Sequence, residues 1–552
     1  MKSRISFFDK TVFRKDLARF APVWGLYLIG GLLTALSILP NGSFAVRELT
    51  RSLNGLAVAN LIYAAVCAQM LFGDLFNSKL CNALHALPLR RETWFGSHVM
   101  AGVAFSLAPN LILSLCFLPM LGKGWFLAFV WLLGMTLQFL FFFGLAALSA
   151  ILSGNRVGMA ALYGLMNFFA LILYWFINTF YAPLLVGLDI RPENFMRFCP
   201  TGWIIGWMGD LADFRYYSGW ETRYEFIGLT AGWWYLALLA VLGLAALALA
   251  VLLYRRRKLE SAGDLLAFKP LEPVFAVIAT LTCGAVFQLT GDIFEGQASY
   301  IYLIAGILVG WFVSRMLLER RVRVFRKGTF FGCAAVVAAM GLTLLLTWLD
   351  PLGLTRWVPD AQKVASVTLV DTFDYNERYE YSQAIKLENP ELIADVIQAH
   401  EALIREGLPE WDRYTAPVTL IYQMKDGRQI RRHYYYTTGG EAAQILDGMF
   451  SAPAYVLGYE DRQQFLDSVQ TVEVDWEYAV NGADARAFVV AICADCEAGT
   501  MNQNRSHYNY IASLRIDCGE QEVYVDLFED CRNAVAWLEE NLPEWGGWME
   551  KE

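Results

Sequence analysis

The sequence predicts an α-helical polytopic membrane protein of about nine transmembrane helices, followed by an extracellular α+β domain. Three observations carry this. Up to about residue 348 the apolar residues fall in blocks near 20 residues long, the length a helix needs to cross a bilayer. Beyond that point no block is long enough. Charge divides at the same place: residues 1–350 hold 28 Lys and Arg against 18 Asp and Glu, and residues 351–552 hold 16 against 35. The halves therefore carry +10 and −19, and the overall −9 describes neither. The acidic half argues against nucleic acid as a partner. Three parts follow: a cytoplasmic interfacial helix over 1–20, a transmembrane domain over 21–348, and an extracellular domain over 349–552.

The N-terminus, MKSRISFFDKTVFRKDLARF, lacks the features of a secretory signal, because its charges run on to Arg19 and no small-residue cleavage site follows. Ile5, Phe8, Val12, Phe13 and Phe20 share one broad side of a helical wheel, with Arg4, Lys10, Arg14 and Lys15 mainly opposite. This is the pattern of a helix lying on a lipid surface. Nine apolar runs follow, at 22–39, 56–73, 98–121, 125–153, 157–187, 227–254, 271–290, 299–317 and 329–348. With the N-terminus inside, cytoplasmic segments hold 20 Lys and Arg and outside connections hold 7. The positive-inside rule then places the N-terminus in the cytoplasm. Nine crossings put everything after residue 348 outside; a re-entrant run would return it to the cytoplasm.

Polar residues inside the runs are neutral: Asn60, Gln69, Asn110, Gln138, Asn167, Asn178 and Gln288. Ion-coupled carriers usually need buried charge to bind or relay the driving ion, so this composition argues against one. Asn110 follows Pro109 within a run and fits either a kink or a helix–helix hydrogen bond. Tryptophans such as Trp24, Trp125, Trp175, Trp233 and Trp311 read as interface anchors.

The segment DLFNSKLCNALHALPLRRETWFGS, residues 74–97, separates the second and third runs. Leu80, Ala83, Leu84 and Leu87 fall at i, i+3, i+4 and i+7, on one face of a short helix that Pro88 ends. Arg90 and Arg91 follow. Such an element is either a connecting helix resting in the headgroups or a docking element for a partner protein. After the sixth run comes RRRKLESAGDLLAFKP, residues 255–270. A basic stop-transfer cluster explains its arginines and leaves open whether Glu260, Ala262, Gly263 and Phe268 make a compact turn.

In the tail, residues 364–370, 417–424, 430–438, 469–476, 508–516 and 522–528 are rich in β-branched and aromatic residues and read as strands. Asp426-Gly427 marks a hairpin between the second and third. A helix opens at Asn389 as N-cap with Pro390 in its first turn, and EAAQILDGMF and EDCRNAVAWLEENL read as two more. Chemistry is sparse. Cys493 and Cys496 form a C-x-x-C pair, but Cys518 and Cys531 stand 13 apart, so disulfides or free thiols fit better than zinc. The five histidines form no metal-ligand spacing, and neither a serine elbow nor a P-loop is present. No catalytic residue, metal site or cofactor motif is visible, and without a P-loop the chain cannot bind ATP in that manner by itself.

The N-terminal surface helix, the first crossing, and a second and third crossing joined by SKLCNALHALPLRRETWFGSH resemble the permease subunits of bacterial ABC transporters of the type-two (exporter) class. Leu87, Pro88, Arg90 and Arg91 match the place where such permeases commonly read "lP.kR". RRRKLESAGDLLAF and the tail from Val367 to about Gln398 resemble a Gram-positive subgroup with a C-terminal extracellular domain. Nine crossings depart from that family's basic six. The resemblance implies a coupling helix that inserts into a separate ABC ATPase subunit, with Lys79, Leu80, Leu84, Leu87, Pro88, Arg90 and Arg91 as partner-binding residues. It also implies a second permease copy or paralogue, and outward movement of an amphiphilic or envelope-related substrate. The alternatives are a membrane-anchored sensor whose acidic outer domain binds ligand, and an ion-coupled carrier.

Overall fold

The computed structural model describes residues 7–38, 45–86, 90–121, 124–188, 199–217, 223–295, 300–370, 384–407, 415–437, 440–452, 456–457, 462–501, 510–519 and 522–542. The chain forms two compact units, one of residues 1–179 and 191–342, the other of residues 180–190 and 343–552.

The first unit is helical. Its helices are α1 (Lys10–Arg19), α2 (Ala21–Ile38), α3 (Ala45–Gly55), α4 (Ala57–Leu71), α5 (Ser78–His85), α6 (Arg91–Phe117), α7 (Phe126–Leu152) and α8 (Arg156–Phe180). In the second unit a two-residue strand, β1 (Gly187–Leu188), follows. Back in the first come α9 (Pro200–Gly206), the hairpin β2 (Ala212–Tyr217) and β3 (Arg223–Leu229), α10 (Trp234–Arg256), α11 (Glu272–Glu295), α12 (Tyr300–Glu319) and α13 (Lys327–Leu349), which runs on into the second unit. Among the described residues eight helices are long and apolar enough to cross a membrane: α2, α6, α7, α8 and α10 to α13. The run expected at 56–73 differs. Its helix α4 has only 15 residues and joins α3 at a 47° bend, so the pair qualifies only as one broken span. Residues 45–55, expected as plain connection, form α3 because Ala45, Leu49, Thr50 and Leu53 make a buried helical stripe.

Packing within this unit relies on close backbone approach. Gly144 on α7 meets Gly243 on α10: a Cβ on the first would lie 2.6 Å from the carbonyl oxygen of the second. Small residues are how apolar helices gain contact when lipid competes equally for their side chains. Trp131, Phe139, Phe142 and Phe143 of α7 are buried in the core of this unit. Pro109 inside α6 has no N–H, which leaves the carbonyl of Phe105 without its helical partner. The hydroxyl of Tyr63 donates to that oxygen at 2.9 Å.

The second unit is α+β. A five-stranded antiparallel sheet has the order β1-β7-β6-β4-β5, from β4 (Val364–Val370), β5 (Ala384–Leu387), β6 (Thr415–Met424) and β7 (Gln429–Thr437). A four-stranded sheet has the order β11-β10-β8-β9, from β8 (Thr471–Val474), β9 (Tyr478–Asn481), β10 (Tyr510–Asp517) and β11 (Glu522–Phe528). Helices α14 (Pro390–Glu406), α15 (Glu441–Phe450), α16 (Arg462–Ser468), α17 (Gly482–Glu497) and α18 (Arg532–Asn541) complete it. Asn389 caps α14 by accepting from the amide of Glu391, and Gly427 turns the β6–β7 hairpin at φ +86°. One strand comes from far away in sequence: Gly187 and Leu188 pair with His433 and Arg432 along the edge of β7.

Candidate functional site

The short helix expected in residues 74–97 is α5, which starts at Ser78. The side-chain oxygen of Asn77 accepts from the amides of Lys79 and Leu80 at 3.0 and 3.5 Å, which caps it. Cys81, 1% exposed, holds the helix to its own unit, while Lys79, Leu80 and Ala83 face outward and Leu80 is 50% exposed. Leu84 lies one turn on from Leu80; Leu87 and Pro88 lie outside the described residues.

The two arginines after Pro88 part company. Arg90 is exposed at the N-cap of α6. Arg91 turns inward, and its Nη1 donates to the carbonyls of Tyr254, Arg255 and Arg257 at 3.1, 3.3 and 3.0 Å. Those carbonyls lie at and just beyond the C-terminal end of α10, where helical N–H partners run out and the helix dipole favours a cation; that of Tyr254 also accepts from the Arg257 amide at 3.3 Å. Arg257 does the same for α7. Its Nη1 donates to Ala150 and Ile151 at 2.8 and 3.0 Å, and its Nη2 to the carbonyl of Leu75 at 3.1 Å, just ahead of α5. Arg257 is 4% exposed, and burial pulls its guanidinium down to about 10, which leaves it charged at neutral pH.

Residues 258–268 then fold back over the ends of α7 and α8 as a compact turn, the possibility the sequence left open. The amide of Gly263 donates to Gly154 at 2.6 Å and that of Ala267 to Leu152 at 2.7 Å. Ser153 and Leu266 form an antiparallel bridge. A methyl at Gly154 would run into the carbonyl of Ser261, and one at Gly158 into that of Leu265. Asp264 pairs with Arg320 at 2.8 Å, and Glu92 with Arg255 at 2.9 Å. The N-terminus joins the same end: the amide of Asp9 donates to Ser97 at 2.8 Å, and Asp16 meets His98 at 2.6 Å, both side chains 7% exposed. Sequence reading missed Arg257, the Asp16–His98 pair and the inward turn of Arg91. Only two glycines four apart, Gly154 and Gly158, hinted that another segment packs there.

Deeper in the unit, three of the neutral polar residues converge. The Tyr27 hydroxyl lies 3.0 Å from Asn60 Oδ1 and 3.1 Å from Asn110 Oδ1. Asn60 donates to Gln138, whose own amide donates to the Leu53 carbonyl at 3.2 Å, and Asn110 donates to Ser106 at 3.0 Å. These amides bond one another across helices, the role of helix–helix glue.

In the second unit, His400 is fully buried between the hydroxyls of Tyr434 and Tyr422, at 2.8 and 3.0 Å, and burial pushes its pKa down to about 3. Cys493, Cys496 and Cys531 are buried and Cys518 half-buried, and none of the four is in a disulfide. Burial raises the Cys496 thiol, with Cys493 and Cys531 close enough to add to the shift. Among the described residues no group of three or more His, Cys, Asp or Glu is placed to hold a metal ion. The open face of the four-stranded sheet shows Trp476, 64% exposed, against Tyr524, with ring centroids 5.8 Å apart. Around them lie Glu473, Glu522 and Asp526, with Arg515 bonded to both glutamates. Comparison with protein-family models, with curated proteins and with solved structures finds no match for this chain.

Proposed function

We propose that this chain is the membrane-spanning permease subunit of an ATP-driven ABC transporter, which docks a separate ATPase chain through α5 and moves an amphiphilic or envelope-related substrate outward. The observation that carries the reading is the outward face of α5, an exposed Leu80 beside Lys79 on a capped helix anchored by Cys81. The five basic connections meet at this end through the contacts of Asp9, Arg91, Gly154, Arg257 and Arg320. Segments that touch must lie on one side of a bilayer, so an even number of crossings separates each pair. Between Asp9 and Ser97 that condition requires α3 and α4 to count as one crossing, which makes nine. Residues 180–190 and 343–552 share one folded unit, and four candidate spans lie between them, again an even number. These parities support a second unit on the opposite side of the membrane from the N-terminus, and the excess of Lys and Arg in the connections supports a cytoplasmic N-terminus. A second permease copy or paralogue would complete the pathway.

Co-purification tests this. The wild-type chain should retain the ATPase, and Leu80→Asp or Leu84→Asp should lose it, because a carboxylate in a buried apolar contact costs several kcal/mol. Equal retention by all three chains would refute the docking face. A second reading, ligand sensing by the C-terminal unit, draws on the open Trp476–Tyr524 face. Trp476→Ala would then abolish a ligand response and leave the ATPase bound.

A further inference from the structure

We infer that Arg257 is a positioning residue that ties α5 to the membrane helices, so that movement of the docking helix reaches α7 and α10 as well as α6. The inference rests on the docking role proposed above for its transport consequence, and on geometry alone for the tie itself. Chain connectivity joins α5 directly to α4 and to α6, and to neither α7 nor α10. Arg257 supplies that further link. Its guanidinium is planar and fork-shaped, which lets one side chain hold oxygens on two separate segments at once. One nitrogen takes the last free carbonyls of α7, from Ala150 and Ile151, and the other takes Leu75, three residues ahead of α5. The backbone carbonyl of the same residue accepts from Arg91, the first residue of α6. One position therefore touches the approach to α5, the start of α6, the end of α7 and the exit from α10.

Nothing in its surroundings marks this cation as half of an ion pair: all three of its side-chain hydrogen bonds among the described residues go to backbone carbonyls. A buried cation without a carboxylate is held by geometry, and it is costly to displace once the carbonyls have closed on it. The folded-back turn at 258–268 keeps it there, through Gly263 on Gly154 and Ala267 on Leu152.

The chain carries its own reporter. Cys81 sits on the inner side of α5 and is 1% exposed, while Cys67, packed within α4, is fully buried. Alkylation of the full-length protein in nanodiscs, read by peptide mass spectrometry, follows both thiols. Arg257→Gln cannot span both acceptors, and Cys81 labelling should rise at least tenfold with Cys67 unchanged. Arg257→Lys should fall between, since an ammonium reaches one acceptor group and not both. Unchanged Cys81 labelling in Arg257→Gln would overturn the inference, as would Cys67 labelling that rises in step. In complexes with the co-purified ATPase, Arg257→Gln should keep the partner and lose the stimulation of ATP hydrolysis by assembly; retained stimulation counts against the inference. If the wild-type chain retains no ATPase, the proposed function fails, and Cys81 labelling still decides whether Arg257 holds α5.

Discussion

His400 shows what a single buried side chain does to the second unit. With no exposed surface and two tyrosine hydroxyls on its nitrogens, the ring stays neutral in the folded state down to about pH 3. The unfolded chain takes up that proton from about pH 6.5 downward. Protons therefore bind the unfolded state in preference, and stability falls as pH drops through that window, by about 1.4 kcal/mol per pH unit. Pulse proteolysis of the tail in urea at pH 7.0 and 5.5 should show the loss in wild type, and His400→Gln should flatten it. Asp495 poses the opposite case, a buried carboxylate that is fully used. It accepts from the amide and side chain of Asn533 and from the amide of Ala534 at 3.1, 2.7 and 2.7 Å, capping α18 from a distant helix. Asp495→Ala should cost about 2–3 kcal/mol by urea unfolding, because two helix-start donors lose their acceptor.

Among the elements, α14 begins as its sequence predicts, because its signals are local: Asn389 as cap and Pro390 in the first turn. The Asp426-Gly427 hairpin formed for the same reason. Helix α6 starts at Arg91, seven residues ahead of the apolar run that marks it. Helices α3 and α17 escaped notice. In α17 the apolar residues Phe488, Val489 and Ile492 sit among alanines and two cysteines, with the strand-like pair Val489-Val490 in their midst. Burial against α18 selects the helix, through Phe488 stacked on Trp537 at 4.5 Å. Contact between α7 and α10 is equally dependent on partners. Gly144→Val should force the two backbones apart and cost about 3 kcal/mol, seen as a lower unfolding midpoint in detergent with the expression level unchanged.

At the scale of the whole molecule, the edge strand β1 sets how the second unit must be handled. Residues 343–552 expressed alone leave the edge of β7 without Gly187 and Leu188, and unpaired edges invite aggregation. The isolated tail should self-associate more readily than a version carrying residues 180–190 on a linker, as measured by light scattering. Monomeric behaviour of both would mean that β1 contributes nothing to the edge. Sidedness has its own measurement: protease added to intact cells should remove the tail and spare an N-terminal tag, and a protected tail would contradict the proposed orientation.

What the sequence determined by itself is what hydropathy, charge and local chemistry encode. Blocks of apolar residues set the long helices, the break at residue 348 separates them from the sheets, and caps and turn residues set the start of α14 and the β6–β7 hairpin. Each of these depends on neighbours within a turn or two. Tertiary structure alone decided which arginine points where. Arg90 and Arg91 are adjacent and chemically identical, as are Arg256 and Arg257, yet one of each pair is exposed and the other is drawn inward by helix-end carbonyls. Those carbonyls come from helices more than 70 residues away, so no local pattern reveals them. The same holds for Leu188 on β7 and for Asp16 against His98: the partner is supplied by the fold, and the residue's role exists only once the two segments meet.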